Sequence, residues 1–338
     1  MKQAYLPEPE TILFREVETP VCGPDDVLIR TSKIGICGSD LHVFKGKHPL
    51  VSFPLVQGHE FSGFVEETGK NVSGLFPGDL VTVQPAVGCG TCERCREGFV
   101  ARCDDLLFVG GALPGAGSEY LAVPAQHVIK MPLGTTPEQA AMTEPLAAAV
   151  HGVTQAPELT GKDVLVVGGG TIGNLLAQVA RLSGPRNLIV SERIAFRRGI
   201  LSDLSIETIE PSSGSPTEDQ AASLMGKQPD ISFECAGTAS ALNACIRATC
   251  RAGDVVVMGV FEDNPQTEMT LVQDKELRLT GSLMYSWDDF YSAIELIEKK
   301  KVSLDSLISH HISFDNWIEG YRLLREHPDE TLKIIIDM

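Results

Sequence analysis

Val164-Leu-Val-Val-Gly168-Gly-Gly170-Thr-Ile-Gly173 reads as a strand, a glycine turn and the start of a helix. Apolar residues then recur at helical spacing, at Ile172, Leu175, Leu176, Val179 and Leu182. A glycine fingerprint in that context is a dinucleotide-binding turn. Gly168 permits the tight turn, Gly170 the close approach of a pyrophosphate, and Gly173 close packing of helix on strand. Thr171 and Ile172 open the helix, where amides without intrahelical partners face a phosphate. Glu192 follows the next strand about 20 residues on, where a carboxylate binds the adenosine ribose diol. It would repel a 2′-phosphate, which favours NAD and makes NADP the lesser candidate. Arg193, Arg197 and Arg198 lie near enough to keep NADP open, and Arg197 is taken as a cofactor-binding residue.

Outward from this stretch, strand-like and helix-like segments alternate. Val164–Val167, Leu188–Val190, Ile206–Ile209, Ile231–Phe233, Val255–Met258 and Leu277–Gly281 are strand candidates, and Pro211–Asp219 is a polar loop. The pattern predicts an α/β, doubly wound parallel sheet. Residues 1 to about 135 instead read as β-rich and irregular, with apolar stretches at Val27–Ile36, Phe61–Glu66 and Leu80–Gln84. Thr136-Pro137-Glu138-Gln139 is a helix start, with Thr as N-cap, Pro in the first turn and Gln reaching back. Pro145 is expected to interrupt that helix and place Glu144 at the joint, with a restart at Ala147–Val153 that packs His151 as a structural residue. Two amphipathic helices, Asp289–Lys300 and Asn316–Arg325, and a strand Lys333–Ile336 close the chain.

Bulk numbers narrow the classes. The 338 residues suffice for two domains. A net charge of −17, from 28 basic and 45 acidic residues, argues against a nucleic-acid partner. No apolar run approaches the roughly 18 residues of a membrane span. The start Met1-Lys2-Gln3-Ala4-Tyr5 is unlike a signal peptide. The expectation is a cytoplasmic protein without membrane contact.

Nine cysteines in such a chain point to metal or catalysis before disulfides. Two residues separate Cys89 from Cys92 and Cys92 from Cys95, and seven separate Cys95 from Cys103. Four thiolates at short spacing close a tetrahedral shell, the pattern of a structural zinc. The long last gap and Asp104 after it disfavour a ferredoxin-type cluster. Cys22, Cys235, Cys245 and Cys250 are read as small core residues, and His310-His311 as a surface turn.

Cys37-Gly-Ser39-Asp40-Leu-His42 and Gly58-His59-Glu60 gather a thiolate, imidazoles, a hydroxyl and carboxylates in one short region. Those are the parts of a catalytic metal site.

These motifs, with Glu144-Pro145-Leu146 and His151, resemble in content and order the zinc-dependent medium-chain alcohol dehydrogenase family. More narrowly they are similar to its polyol (sorbitol-type) and threonine dehydrogenase branch, and the resemblance covers nearly the whole chain. It implies a GroES-like β-rich catalytic domain, residues 1–148 and 286–338, and a Rossmann NAD-binding domain, residues 149–285. The C-terminus returns to the catalytic domain.

The resemblance also implies two zinc ions per chain, one structural and one catalytic. Cys37 and His59 ligate the catalytic zinc, with Glu60, Glu144 or water completing the shell. Ser39 accepts the proton of the alcohol and His42 passes it on, while Asp40 orients its neighbours. The implied reaction is hydride transfer from a small-molecule secondary alcohol, a sugar alcohol or sugar acid, to NAD, giving the ketone. Threonine 3-dehydrogenase is the alternative within enzymes, and a non-catalytic NAD- and zinc-binding sensor the alternative of another class. A homodimer or homotetramer is expected, paired through the last strand of the Rossmann sheet.

Overall fold

Lys333-Ile-Ile-Ile-Asp337 forms a strand whose three isoleucines are wholly buried. At roughly 1.5–3 kcal/mol for each buried side chain, that run firmly fixes the position of the strand. It lies antiparallel to Asp26–Gly35 and parallel to Ile308–Ser313. The computed structural model describes residues 1–47, 51–212 and 214–338.

The chain divides into two compact units. The first comprises Met1–Glu144, Ser286–His327 and Lys333–Met338. Its main sheet runs in the order Ile308–Ser313, Lys333–Asp337, Asp26–Gly35, Glu60–Thr68, Leu80–Val83 and Val128–Lys130, and Tyr120–Pro124 also pairs with Asp26–Gly35. The ten-residue strand Asp26–Gly35 is long enough to hold Tyr120–Pro124 on its first half and Lys333–Asp337 on its second. The core combines Ile29, Ile34, Phe61, Val65 and Val81 with Trp317, Tyr321, Ile334 and Ile336. Residues more than 200 positions apart thus share one apolar interior, and the late elements belong to the early sheet.

The second unit is Pro145–Tyr285 with Pro328–Leu332. Its six parallel strands run Glu207–Ile209, Asn187–Ser191, Asp163–Val167, Ile231–Glu234, Asp254–Val257 and Arg278–Gly281. The order reverses beside Asp163–Val167, the topological switch point at which such sheets bind dinucleotides. All five residues of that strand are buried, as expected for a strand covered on both faces.

Four expectations are corrected. Thr136 does cap Pro137–Ala141, with the reciprocal Thr136–Gln139 hydrogen bonds of a capping box. That helix stops at Met142, however, and Thr143–Thr154 begins before Pro145. Pro145 falls in the first turn, where a missing N–H forfeits no intrahelical bond, so it does not break the helix. Glu144 therefore projects from a helix start. His310 and His311 lie in the strand Ile308–Ser313, not in a turn, because Lys333–Asp337 offers a parallel partner. Of the four residual cysteines only Cys245 is fully buried; Cys22, Cys235 and Cys250 are half-buried. In the polar loop, Ser213 lies outside the described residues, and a helix already starts at Thr217.

A candidate metal and dinucleotide site

Cys37 caps the N-terminus of the helix Gly38–Phe44, immediately after the long central strand ends. Its extended backbone, φ −88° and ψ 154°, turns the chain out of the sheet. Its amide donates to Asp40 Oδ2 at 2.9 Å. The other oxygen, Asp40 Oδ1, lies 3.3 Å from His59 Nδ1. That is close enough for ionic attraction, yet Nδ1 makes no hydrogen bond although it is buried. Burial alone would push the His59 imidazole down, but Asp40 and then Cys37 outweigh it and hold it well above the usual histidine range.

Ligand atoms of Cys37, His59 and Glu60 all lie within 4.8 Å of one another. A thiol, an imidazole with a buried unsatisfied nitrogen and a buried carboxylate fit a zinc ion in donor type and in spacing. Glu144 is outside this close trio, 8 % exposed, and near enough for its charge to act on Lys333. Ser39 and His42 are half-buried on the helix Gly38–Phe44.

Glu60 also meets a residue that no local motif announces. Lys333 is 1 % exposed, and its ammonium donates to Glu60 Oε2 and, at 3.2 Å, to the Ile36 carbonyl. Burial would lower its pKa; Glu60 above all, then Cys37 and Glu144, keep it raised. Gly35 stands between the two side chains, and a Cβ there would come within 2.9 Å of Lys333 Cε.

The four clustered cysteines lie together in one loop. Cys92 caps the short helix Glu93–Arg96 and accepts from the Cys95 amide at 3.4 Å. Cys89 Sγ accepts from the Cys92 amide at 3.3 Å, and Cys103 Sγ from the Cys89 amide at 3.4 Å. All four sulfurs lie within 4.8 Å of one another. Hydrogen bonds, first from the Thr91 side chain, hold the Cys89 thiol down at about 6. A bond from Gly90 lowers Cys95, but burial and the neighbouring cysteines push it up to about 12. Four sulfurs this close cannot all ionise without a cation among them, so the set fits a tetrahedral metal.

In the second unit, Gly168 adopts φ +104°, and a Cβ on Gly173 would collide with the Gly168 carbonyl. Gly170 caps the helix Thr171–Leu182; the space its Cβ would occupy is open, with only Arg197 Nη1 nearby at 3.9 Å. Glu192 accepts from the Gly169 amide at 2.7 Å and the Ile194 amide at 2.8 Å, which fixes its carboxylate beside the glycine turn. Arg197 donates to the Thr331 carbonyl at 3.1 Å and is held below the usual arginine range by burial. Arg198 is engaged by Glu210 at 2.7 Å.

Residues 23–133 match the model of the alcohol dehydrogenase GroES-like domain, and residues 171–299 that of zinc-binding dehydrogenases. An L-galactonate-5-dehydrogenase of Escherichia coli is 30% identical over 329 residues, 97% of this chain and 96% of the relative. The chain belongs to the zinc-dependent alcohol dehydrogenase family. An L-threonine 3-dehydrogenase of Pyrococcus abyssi is 33% identical over 317 residues, 92% of this chain and 91% of that one. Among solved structures, a protein of Escherichia coli described as a short chain alcohol dehydrogenase complexed with NADH aligns with a TM-score of 0.92. The two are 28% identical, and the alignment covers 100% of this chain and 99% of that one.

The dehydrogenase is thus a zinc-dependent oxidoreductase of small-molecule alcohols that uses a nicotinamide cofactor. It has the GroES-like and Rossmann folds of its polyol and threonine branch. Among its described residues no helix is long and apolar enough to cross a membrane. Sequence reasoning missed Lys333, Gln57 and Tyr321. The signal for Lys333 was a cation opening an otherwise apolar strand.

Proposed function

We propose that this dehydrogenase oxidises a secondary hydroxyl of a sugar alcohol or sugar acid to the ketone with NAD. The observation that carries the reading is the close approach of the Cys37, His59 and Glu60 ligand atoms. The sugar-acid preference is supported by the L-galactonate-5-dehydrogenase relative. In this reading Cys37 and His59 hold the catalytic zinc, and Glu60, Glu144 or water completes its shell. Cys89, Cys92, Cys95 and Cys103 hold a second, structural zinc, making two per chain. Bound zinc supplies Lewis acidity that eases loss of the alcohol proton, and bound nicotinamide accepts the hydride. Ser39 takes the proton from the substrate oxygen, and His42 hands it toward solvent. Asp40 keeps His59 oriented.

Gly168, Gly170, Thr171, Ile172 and Gly173 hold the pyrophosphate, and Glu192 the adenosine ribose, with Arg197 at the edge of the turn. A buried carboxylate at that position supports NAD over NADP. The catalytic domain comprises residues 1–148 and 286–338, and the NAD domain residues 149–285. The edge strand Arg278–Gly281 pairs with a second copy in a cytoplasmic homodimer or homotetramer.

A threonine substrate is the second reading, favoured by the Pyrococcus abyssi relative. Assays of polyols, sugar acids and threonine with NAD and NADP, beside zinc analysis of wild type and Cys37→Ala, decide between them. Turnover of a sugar acid with NAD, and loss of one of two zinc ions in the variant, are the expected results. Turnover of threonine alone overturns the substrate class. Tight NAD binding with no turnover at all points to a sensor.

A further inference from the structure

Two claims meet on the Glu60 carboxylate. One of its oxygens belongs to the trio with Cys37 and His59, and Oε2 accepts from Lys333. Both side chains are 1 % exposed. A lysine at that depth persists only when paired. It also donates to one carbonyl, Ile36, at 3.2 Å. Full transfer of Glu60 to a metal would strip the ammonium of its main counter-charge. Full retention by the ammonium would deny the metal a carboxylate.

We propose that Lys333 is a positioning residue of the catalytic zinc site, tethering Glu60 so that one coordination position stays free for the alcohol oxygen. Lys333 acts only through Glu60 and touches neither substrate nor cofactor. The inference rests on the reading that Cys37 and His59 hold zinc.

The test uses the full-length zinc-loaded enzyme and measures zinc release to a chromogenic chelator. The phase absent from Cys37→Ala identifies the catalytic ion. Lys333→Met frees Glu60 for the metal, so release of that ion should slow about tenfold, equal to about 1.4 kcal/mol of added binding. In cobalt-substituted protein the visible bands should weaken as the coordination number rises. Lys333→Arg, which keeps the cation, should restore both.

In a Glu60→Gln background the Lys333→Met change should have no further effect on release. This neutral pair also keeps the test open if Lys333→Met alone does not fold. Unchanged release and spectra in Lys333→Met overturn the proposal, as does an equal slowing in the Glu60→Gln background. If Cys37→Ala loses no zinc, the metal-site reading itself fails, and the proposal with it.

Discussion

Tyr321 donates its phenol to Gln57 Oε1 at 2.6 Å, joining a helix near the end of the chain to a residue 264 positions earlier. Gln57 Nε2 in turn donates to the Asp40 carbonyl at 3.0 Å. The Tyr321 ring stacks on Phe44, with centroids 4.5 Å apart and planes 16° from parallel. The helix Trp317–Glu326 thereby braces the helix Gly38–Phe44, whose first turn carries Ser39 and Asp40. This buried chain of bonds ties the helix Gly38–Phe44 to the helix Trp317–Glu326.

Tyr321→Phe keeps the stack and deletes one donor. It leaves the Gln57 oxygen buried without that partner, at a cost of about 1–3 kcal/mol. The denaturant midpoint should fall accordingly, and catalytic zinc should be lost faster to a chelator than in wild type. An unchanged midpoint and release rate would show that the bond braces nothing.

Gly35→Ala should be more damaging than its size suggests. Gly35 is opposite Glu60 on one side and Ile335 on the other, and the added methyl would invade the Lys333–Glu60 pair. The expected outcome of metal analysis is loss of the catalytic ion with the four-cysteine ion retained. Full occupancy of both would show that the pair can shift at no cost.

Glu192→Ala removes the acceptor for two amides and the carboxylate beside the glycine turn. A hydrogen bond to a charged group contributes about 1.5–3 kcal/mol, so KM for NAD should rise roughly 10–100-fold. Discrimination against NADP should shrink in the same assay. An unaltered NAD to NADP preference would place cofactor choice elsewhere.

Asp163 gives the second unit an acid-sensitive point. The buried side chain accepts from Arg186 Nε at 2.9 Å and from Asn187 at 2.8 Å. Burial alone would raise its pKa; Arg186, Asn187 and Lys227 more than reverse that and hold it below the usual carboxylate range. The folded value is below the unfolded value of about 3.9, so its contribution is complete above that pH. It is lost as the pH falls through the folded value. Asp163→Asn should therefore melt lower than wild type at pH 7, and the gap should close as the pH drops below about 4. A gap that is constant down to acid-unfolding would show that charge is not the cause.

The site was legible in the sequence wherever the chain makes it locally. Gly168 and Gly173 declare themselves because one turn within ten residues requires both, Gly168 for its φ of +104° and Gly173 for its approach to the Gly168 carbonyl. The Thr136–Gln139 capping box and the four cysteines are local in the same sense. What was illegible is what folding brings from afar. Nothing near Glu60 specifies Lys333, 273 positions later, and nothing near Gln57 specifies Tyr321. The misplaced helix break has a different origin. Proline signals a break only beyond the first turn, and that boundary is set by Met142 and Thr143, neither a strong punctuator.

The strand Lys333–Asp337 also sets a clock on synthesis. A ribosome has made Glu60 and its strand long before it reaches residue 333, and the whole second unit is translated in between. Until then a carboxylate meant for the interior has no cation to accompany it, and half of the Asp26–Gly35 strand has an unpaired flank. A nascent chain arrested upstream of residue 333 would carry every cysteine and histidine of the metal site and still be unable to bury it. Such fragments should remain soft and protease-sensitive around Cys37 and His59 and hold no zinc there, while the local four-cysteine loop keeps its own.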